Sequence, residues 1–132
     1  MVSKPIVLLC CFLASVLAVP VEKYSDRFDY INLQEILDNP KLLRGYSNCA
    51  LEKGPCTPEG KELKEHIQDA LETGCEKCTK TQLNGATTVI DHLIKNNREI
   101  WKELTSKYDP EGVWRKKYED RAREKGIVIP ED

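Results

Sequence analysis

Apolar residues recur along this chain every third or fourth position in short runs, each opened by a capping residue and most closed by a glycine. After Ala18 no convincing period-2 alternation extends over a strand's length. A three-to-four spacing places side chains on one face of a helix, so the pattern predicts helices throughout. In NLQEILDN, Asn32 is the expected cap and Glu35, three residues on, completes a capping box. In NPKLLRGYSNCALEKG, Asn39 is the cap and Pro40 takes the first helical position, where its missing N–H is no loss. Leu42, Leu43, Tyr46, Cys49 and Ala50 form that helix's stripe, with Gly54 as its expected end.

TPEGKELKEHIQDALETG starts at Thr57 and Pro58 and presents Leu63, Ile67, Ala70 and Leu71 on one face. Gly74 suits the left-handed position just past its end. Thr79 and Gln82 form a second capping box, ahead of a stripe of Leu83, Ala86, Val89, Ile90 and Leu93. Ile100, Trp101, Leu104 and Tyr108 share a face of the next helix. The last helix is expected to begin at Asp109-Pro110, to carry Trp114, Tyr118 and Ala122 one turn apart, and to close at Gly126. The apolar tail IVIPED should then lie on the body. The fold class is all-α, a single domain of about six short helices.

The first eighteen residues break the pattern. Lys4 is followed by an almost unbroken apolar run from Ile6 to Leu17, and Val16-Leu17-Ala18 marks a cleavage position. That run is too short to span a bilayer of about 30 Å, and no stop-transfer pattern follows it. Residues 1–18 are therefore expected to be a secretory signal rather than an anchor, and residues 19–132 the domain. The remaining chain of about 114 residues can bury a hydrophobic core. The formal net charge of −2 becomes −3 without Lys4, which argues against nucleic acid, whose binders need a basic face. There is no second long apolar segment and no Asn-x-Ser/Thr sequon, so neither stable membrane insertion nor N-glycosylation is expected. The basic residues Arg115, Lys116, Lys117, Arg121, Arg123 and Lys125 are interleaved with Glu119, Asp120 and Glu124. Pairs such as Lys116–Asp120 and Glu119–Arg123 read as a solvated helix face.

Export changes the meaning of the cysteines. Cys10 and Cys11 lie in the signal segment, which leaves Cys49, Cys56, Cys75 and Cys78. The Cys75-x-x-Cys78 element follows a helix C-terminus, where the local dipole is negative and raises a thiol pKa. That is the wrong end of a helix for a redox centre. A four-cysteine zinc site would need the first pair closer than six intervening residues, and export favours disulfides over free thiolates. His66 and His92 stand alone on different helices, so neither metal nor cofactor is expected. Four cysteines permit three disulfide pairings. The sequential one closes two very short loops, which would fix inter-helix turns rather than tie distant segments together.

Six, eighteen and two residues separate the successive cysteines, and around them stand YSDRFDYINLQEIL, GPCTPEGKELKEHIQDAL, GCEKCTKTQ, VIDHLIKN, WKELTSKYDP and WRKKYEDR. In this order and spacing they are similar to the insect chemosensory proteins, the OS-D family, and most of all to its lepidopteran branch. The resemblance covers essentially all of the chain after the signal segment. It implies the pairs Cys49–Cys56 and Cys75–Cys78, six helices around an internal apolar channel, and reversible binding of long-chain lipophilic molecules such as fatty acids, alcohols, aldehydes and pheromone- or odorant-like compounds. It implies no enzymatic activity and no cofactor, and it sets Trp101 and Tyr118 along or over the channel. The chain departs from the family at Phe28, where a Tyr is usual, at Tyr30, often Asn, and at Gln34, commonly Asp. At a channel mouth, Phe28 would remove one hydroxyl from a ligand's head group.

The residues themselves offer Leu43, Tyr46, Leu63 and Ile67, then Val89, Ile90, Trp101, Trp114 and Tyr118, as candidates to line a cavity. Any single aliphatic among them serves equally well as plain core, and Trp114 suits a surface position equally. Tyr and Trp fit a pocket end, where an apolar body meets a wet polar tip. A rival class is a secreted helical signalling or protein-interaction factor, with a filled core and an exposed apolar patch. An enzyme would need a nucleophile or a carboxylate in an apolar context, and no such arrangement stands out. The expected partner is a small lipophilic ligand, bound by a monomer.

Overall fold

The structure is a computed structural model that describes residues 22–131; the expected signal segment, 1–18, lies outside the described residues. Among the described residues there are six helices and no strand: α1 Leu33–Leu37, α2 Pro40–Ala50, α3 Pro58–Thr73, α4 Lys80–Asn96, α5 Arg98–Tyr108 and α6 Val113–Glu124. None is long and apolar enough to cross a membrane.

The starts follow the local chemistry. Asn32 accepts from the Glu35 N–H and Asn39 from the N–H groups of Lys41 and Leu42. Thr57 accepts from Gly60, and at α4 both halves of the Thr79–Gln82 capping box are made. Such oxygens satisfy N–H groups that the first turn of a helix leaves without partners. At the end of α3, Gly74 adopts φ +67°, a conformation costly for any residue with a Cβ.

Two boundaries differ from expectation. α2 stops at Ala50, four residues short of Gly54, because Glu52 turns left-handed (φ +62°) and leads the chain into the Cys49–Cys56 loop. α6 begins at Val113 rather than at Asp109-Pro110. Asp109 still caps it from a distance, accepting from the N–H groups of Trp114 and Arg115 while Gly112, at φ +72°, turns the chain between them.

The core is built from Leu37, Leu43, Leu93, Ile94, Ile100, Trp101 and Ile127, with Leu33, Val89, Ile90, Leu104, Ala122 and Ile129 packed against it. α2 packs on α1, α3 and α5, and α4 packs on α1 and α5. Leu42, expected in the stripe of α2, is exposed. The C-terminal tail docks through Ile127 and Ile129, while Val128 between them points to solvent. α6 is tied down by polar contacts: the Tyr118 hydroxyl donates to the Leu71 carbonyl (2.6 Å) and Arg121 to the Gly74 carbonyl (2.9 Å). On its outer face Arg123 pairs with Glu119 as expected, and Asp120 also pairs with Arg123 rather than with Lys116.

The disulfides are Cys49–Cys56 and Cys75–Cys78, both local. The second presents backbone carbonyls to the N-terminal segment: Tyr24 N–H donates to Lys77 O (2.8 Å) and Lys23 Nζ to Glu76 O (2.7 Å). That segment is further held by stacking of Tyr24 on His66, by the Tyr24 hydroxyl on Asp69, and by Thr79 and Gln82 donating to Asp29. No cluster of three or more His, Cys, Asp or Glu among the described residues is placed to hold a metal ion.

Candidate ligand-binding face

The apolar stripe of α3 is incompletely covered, as are the first turns of the α4 stripe, where Leu83, Val89 and Ile90 are half-buried, and the α6 stripe of Trp114, Tyr118 and Ala122. The buried residue of α3 is Gly60, not a member of the stripe. Ile67, Ala70 and Leu71 are half-buried, and Leu63 is 57% exposed. At this position α3 lies against α2: a Cβ on Gly60 would stand at ordinary contact distance, 3.4 Å, from both Cys49 Sγ and the Tyr46 ring. Close contact at this end, made next to the Cys49–Cys56 staple, leaves the rest of the stripe to be covered by other elements. At its far end α6 takes that place, through the Tyr118–Leu71 hydrogen bond.

The sequence candidates fall into three environments. Leu43 and Trp101 are fully within the core, and Val89 and Ile90, half-buried on α4, pack against the cluster that contains them. Trp114 and Tyr118 are half-buried on α6 and lie nearly parallel, 6.4 Å apart, with Lys117 Nζ over both rings. Phe28 is half-buried on the N-terminal segment, under the guanidinium of Arg27, which reaches Glu62 of α3 at 3.7 Å. Tyr30, two residues on, is 79% exposed. Tyr46 is half-buried between α2 and α3, its hydroxyl donating to Glu59 (2.6 Å).

Charge at this face is held in place by those hydrogen bonds. Burial, and then the bond to Glu59, pushes the Tyr46 phenol above its ordinary value, while that bond holds the Glu59 carboxyl below its own. Tyr24 is pushed up to about 12 by burial and by Asp69. Phenols this reluctant to ionise stay neutral donors across the physiological range.

Sequence reasoning missed Glu59, the Leu71 carbonyl and how far Asp109, the expected start of the last helix, reaches. The first two are acceptors for Tyr hydroxyls reached across helix pairs; Asp109 lies six residues from Arg115, outside the usual capping distance. Two surface hollows lie apart from the α3 stripe. One of about 570 Å³ is bordered by Leu51, Lys53, Glu99, Lys102, Glu103, Ser106 and Lys107, whose surface facing the hollow is mostly apolar. The other, about 200 Å³, runs between Tyr108 and Trp114.

Among the described residues, six packed helices stapled twice at helix junctions define a class of small disulfide-bonded helical proteins. The model of the insect pheromone-binding family A10/OS-D matches residues 24–116, and the chain belongs to that family. Allergen Tha p 1 of Thaumetopoea pityocampa is 50% identical over 118 residues, covering 89% of this chain and 94% of the relative. Ejaculatory bulb-specific protein 3 of Drosophila melanogaster is 39% identical over 123 residues, 93% of this chain and 98% of that one. Among solved structures, a chemosensory protein in complex with bromo-dodecanol is 67% identical, with a TM-score of 0.70 over 76% of this chain and all of that one. Antennal chemosensory protein A6 of the moth Mamestra brassicae is 68% identical, with a TM-score of 0.64 over 77% of this chain and 100% of that one. The family expected from the cysteine spacing is thus the family found, with the all-α fold and the sequential disulfides that it implied.

Proposed function

We propose that this protein is a secreted, monomeric carrier that reversibly binds long-chain lipophilic molecules, including fatty acids, alcohols, aldehydes and pheromone- or odorant-like compounds, and that it catalyses no reaction. The observation that carries the proposal is the apolar stripe of α3, half-covered at Ile67, Ala70 and Leu71 and exposed at Leu63. A structural neighbour at 67% identity, a chemosensory protein in complex with bromo-dodecanol, supports the same reading. The ligand lies along Leu63 and Ile67, against Val89 and Ile90 of α4, with Trp101 beneath it and Trp114 and Tyr118 at one end. Phe28 and Tyr46 flank the other end, where the Tyr46 hydroxyl, which donates to Glu59, can still accept from a head group.

The energetics fit a carrier. Burying a CH₂ is worth about 0.8 kcal/mol, so a twelve-carbon chain brings roughly 9–10 kcal/mol. Lost ligand freedom and reordering of the face take back several kcal/mol. The balance, about 6–8 kcal/mol, corresponds to roughly micromolar binding. Such a complex is tight enough to hold a lipid in water and weak enough to release it. Selectivity follows chain length more than head group, because apolar walls discriminate weakly among similar chains.

The test is intrinsic fluorescence during titration with chains of roughly twelve to eighteen carbons, in the wild type and in Trp101→Phe and Trp114→Phe. Saturable quenching at micromolar ligand, diminished most in Trp101→Phe, is expected. A folded protein whose emission no chain alters would overturn the carrier reading and favour the protein-interaction factor, for which the exposed Leu63 would then be the contact.

A further inference from the structure

Five large apolar side chains among the described residues are exposed: Tyr30, Leu42, Leu63, Val113 and Val128. Three of them surround one contact, the hydrogen bond by which Tyr46 of α2 reaches Glu59 of α3. Leu42 stands one turn from Tyr46 and Leu63 one turn from Glu59, so each shares a helix face with its own end of that bond. The Tyr30 phenol lies near enough to Tyr46 to add to its reluctance to ionise. Exposed apolar residues scattered singly are ordinary on a surface, whereas several around one point mark a place of contact. Charge around them is of both signs and largely paired. Arg27 meets Glu62, Lys64 meets Glu52, and Asp29 accepts from Thr79 and Gln82. Lys41 and Glu59 add one charge of each sign.

We propose that Tyr30, Leu42 and Leu63 form a rim that touches an uncharged, zwitterionic lipid surface, and that ligand passes between bilayer and protein during this contact. This rests on the carrier reading and names the partner of the same face. The occupant follows from chemistry. Long-chain lipophilic molecules reside in lipid rather than water, so a carrier that meets the bilayer directly spares its cargo the exposure of the whole chain to water. A phenol with a wet polar tip beside aliphatic side chains suits the headgroup boundary of a bilayer. A rim of balanced charge, on a chain whose formal net charge is −2, offers no attraction to anionic lipid. Three side chains bury too little apolar surface for anchoring, so the contact is brief.

The test follows transfer of an anthroyloxy-labelled stearate from the whole mature chain to phosphatidylcholine vesicles that carry a quencher. Transfer by contact gives a rate that rises in proportion to vesicle concentration. Transfer through water gives a rate set by release alone, indifferent to the vesicles. The first is expected. Tyr30→Ser combined with Leu42→Gln, both at exposed positions, should lower the vesicle-dependent rate roughly ten-fold. Affinity for the labelled stearate in water should stay within about two-fold, as for ordinary surface substitutions. A rate independent of vesicle concentration would overturn the proposal, leave the carrier reading intact and give the rim to a protein partner. Equal rates in wild type and double variant would also overturn it. So would a rate that climbs when phosphatidylglycerol is added and falls with salt, since the basic α6 would then be the point of contact. Failure of both the labelled stearate and 1-dodecanol to bind the wild type in water would overturn the carrier reading as well.

Discussion

Replacing Asp109 by alanine removes the carboxylate through which α5 is joined to α6. That carboxylate is 6% exposed and accepts three hydrogen bonds: from Trp114 N–H (3.1 Å), Arg115 N–H (2.9 Å) and Arg115 Nε (3.0 Å). Arg115 also donates from Nη2 to the Asp109 carbonyl (2.7 Å), so guanidinium and carboxylate lock each other. Truncation leaves two N–H groups of α6's first turn without acceptors and the Arg115 guanidinium without its carboxylate. Breaking a buried pair costs about 3–5 kcal/mol, and the partial exposure of Arg115 lets water recover some of it. A loss of about 3 kcal/mol is expected from Asp109→Ala, and about half that from Asp109→Asn, which keeps one acceptor. Since a domain of this size is stabilised by only about 5–15 kcal/mol, the alanine variant should melt roughly 12–20 °C lower.

Urea denaturation followed by far-ultraviolet circular dichroism measures the loss directly. Its pH dependence supplies a second check. Burial pushes the Asp109 carboxyl up, but the N–H groups of Arg115 and Trp114 and the Arg115 guanidinium outweigh it and hold the group below its ordinary value. A carboxyl depressed in the folded state adds stability that is fully present above its unfolded pKa, about 3.9, and is lost as pH falls through the folded value. The gap between wild type and Asp109→Asn should therefore be level at neutral pH and narrow in acid below about pH 4. A loss under about 0.5 kcal/mol in Asp109→Ala, or a gap that widens in acid, would refute this account of how α6 is held.

Tyr118→Phe removes the bond to the Leu71 carbonyl and should cost about 1 kcal/mol by the same denaturation assay, while stopped-flow dilution shows faster ligand release because α6 closes less firmly on α3. Tyr46→Phe frees Glu59, whose carboxyl should return toward its ordinary value in an NMR titration; an unmoved Glu59 would mean that the Tyr46 bond does not set it. Replacing Cys75 and Cys78 together by serine should cost about 2 kcal/mol, as expected for so short a loop. It should also expose residues 22–29 to limited proteolysis, since Lys23 and Tyr24 lean on carbonyls of that loop.

Much of this was legible before any coordinates. The caps at Asn39, Thr57 and Thr79 and the left-handed stop at Gly74 emerged where the residues place them, whereas Leu42, Leu63 and Ala86, expected in apolar stripes, are exposed. The family, and with it the disulfide pairing, was legible in the cysteine spacing and its flanking segments. The candidate face was legible only as a list. Nothing in periodicity separates Leu43, which is core, from Leu63, which is 57% exposed, because both sit on apolar stripes of equal clarity. Nor did any local rule place the start of α6, which depends on a side chain reaching five and six residues ahead.

What the sequence by itself determined is whatever depends on neighbours within about one helical turn: where helices start, which face is apolar, which turns need glycine. The tertiary structure alone decided how far each apolar face is covered. Close contact of α3 with α2 at Gly60, and a distant tie to α6 at Leu71, leave the α3 stripe partly open. The same packing surrounds the Trp101 indole with aliphatic side chains and leaves its N–H unpaired. Coverage and pairing are relations between segments far apart in the chain, set by which helices touch, and a stripe is written the same way whether a helix or a ligand will cover it.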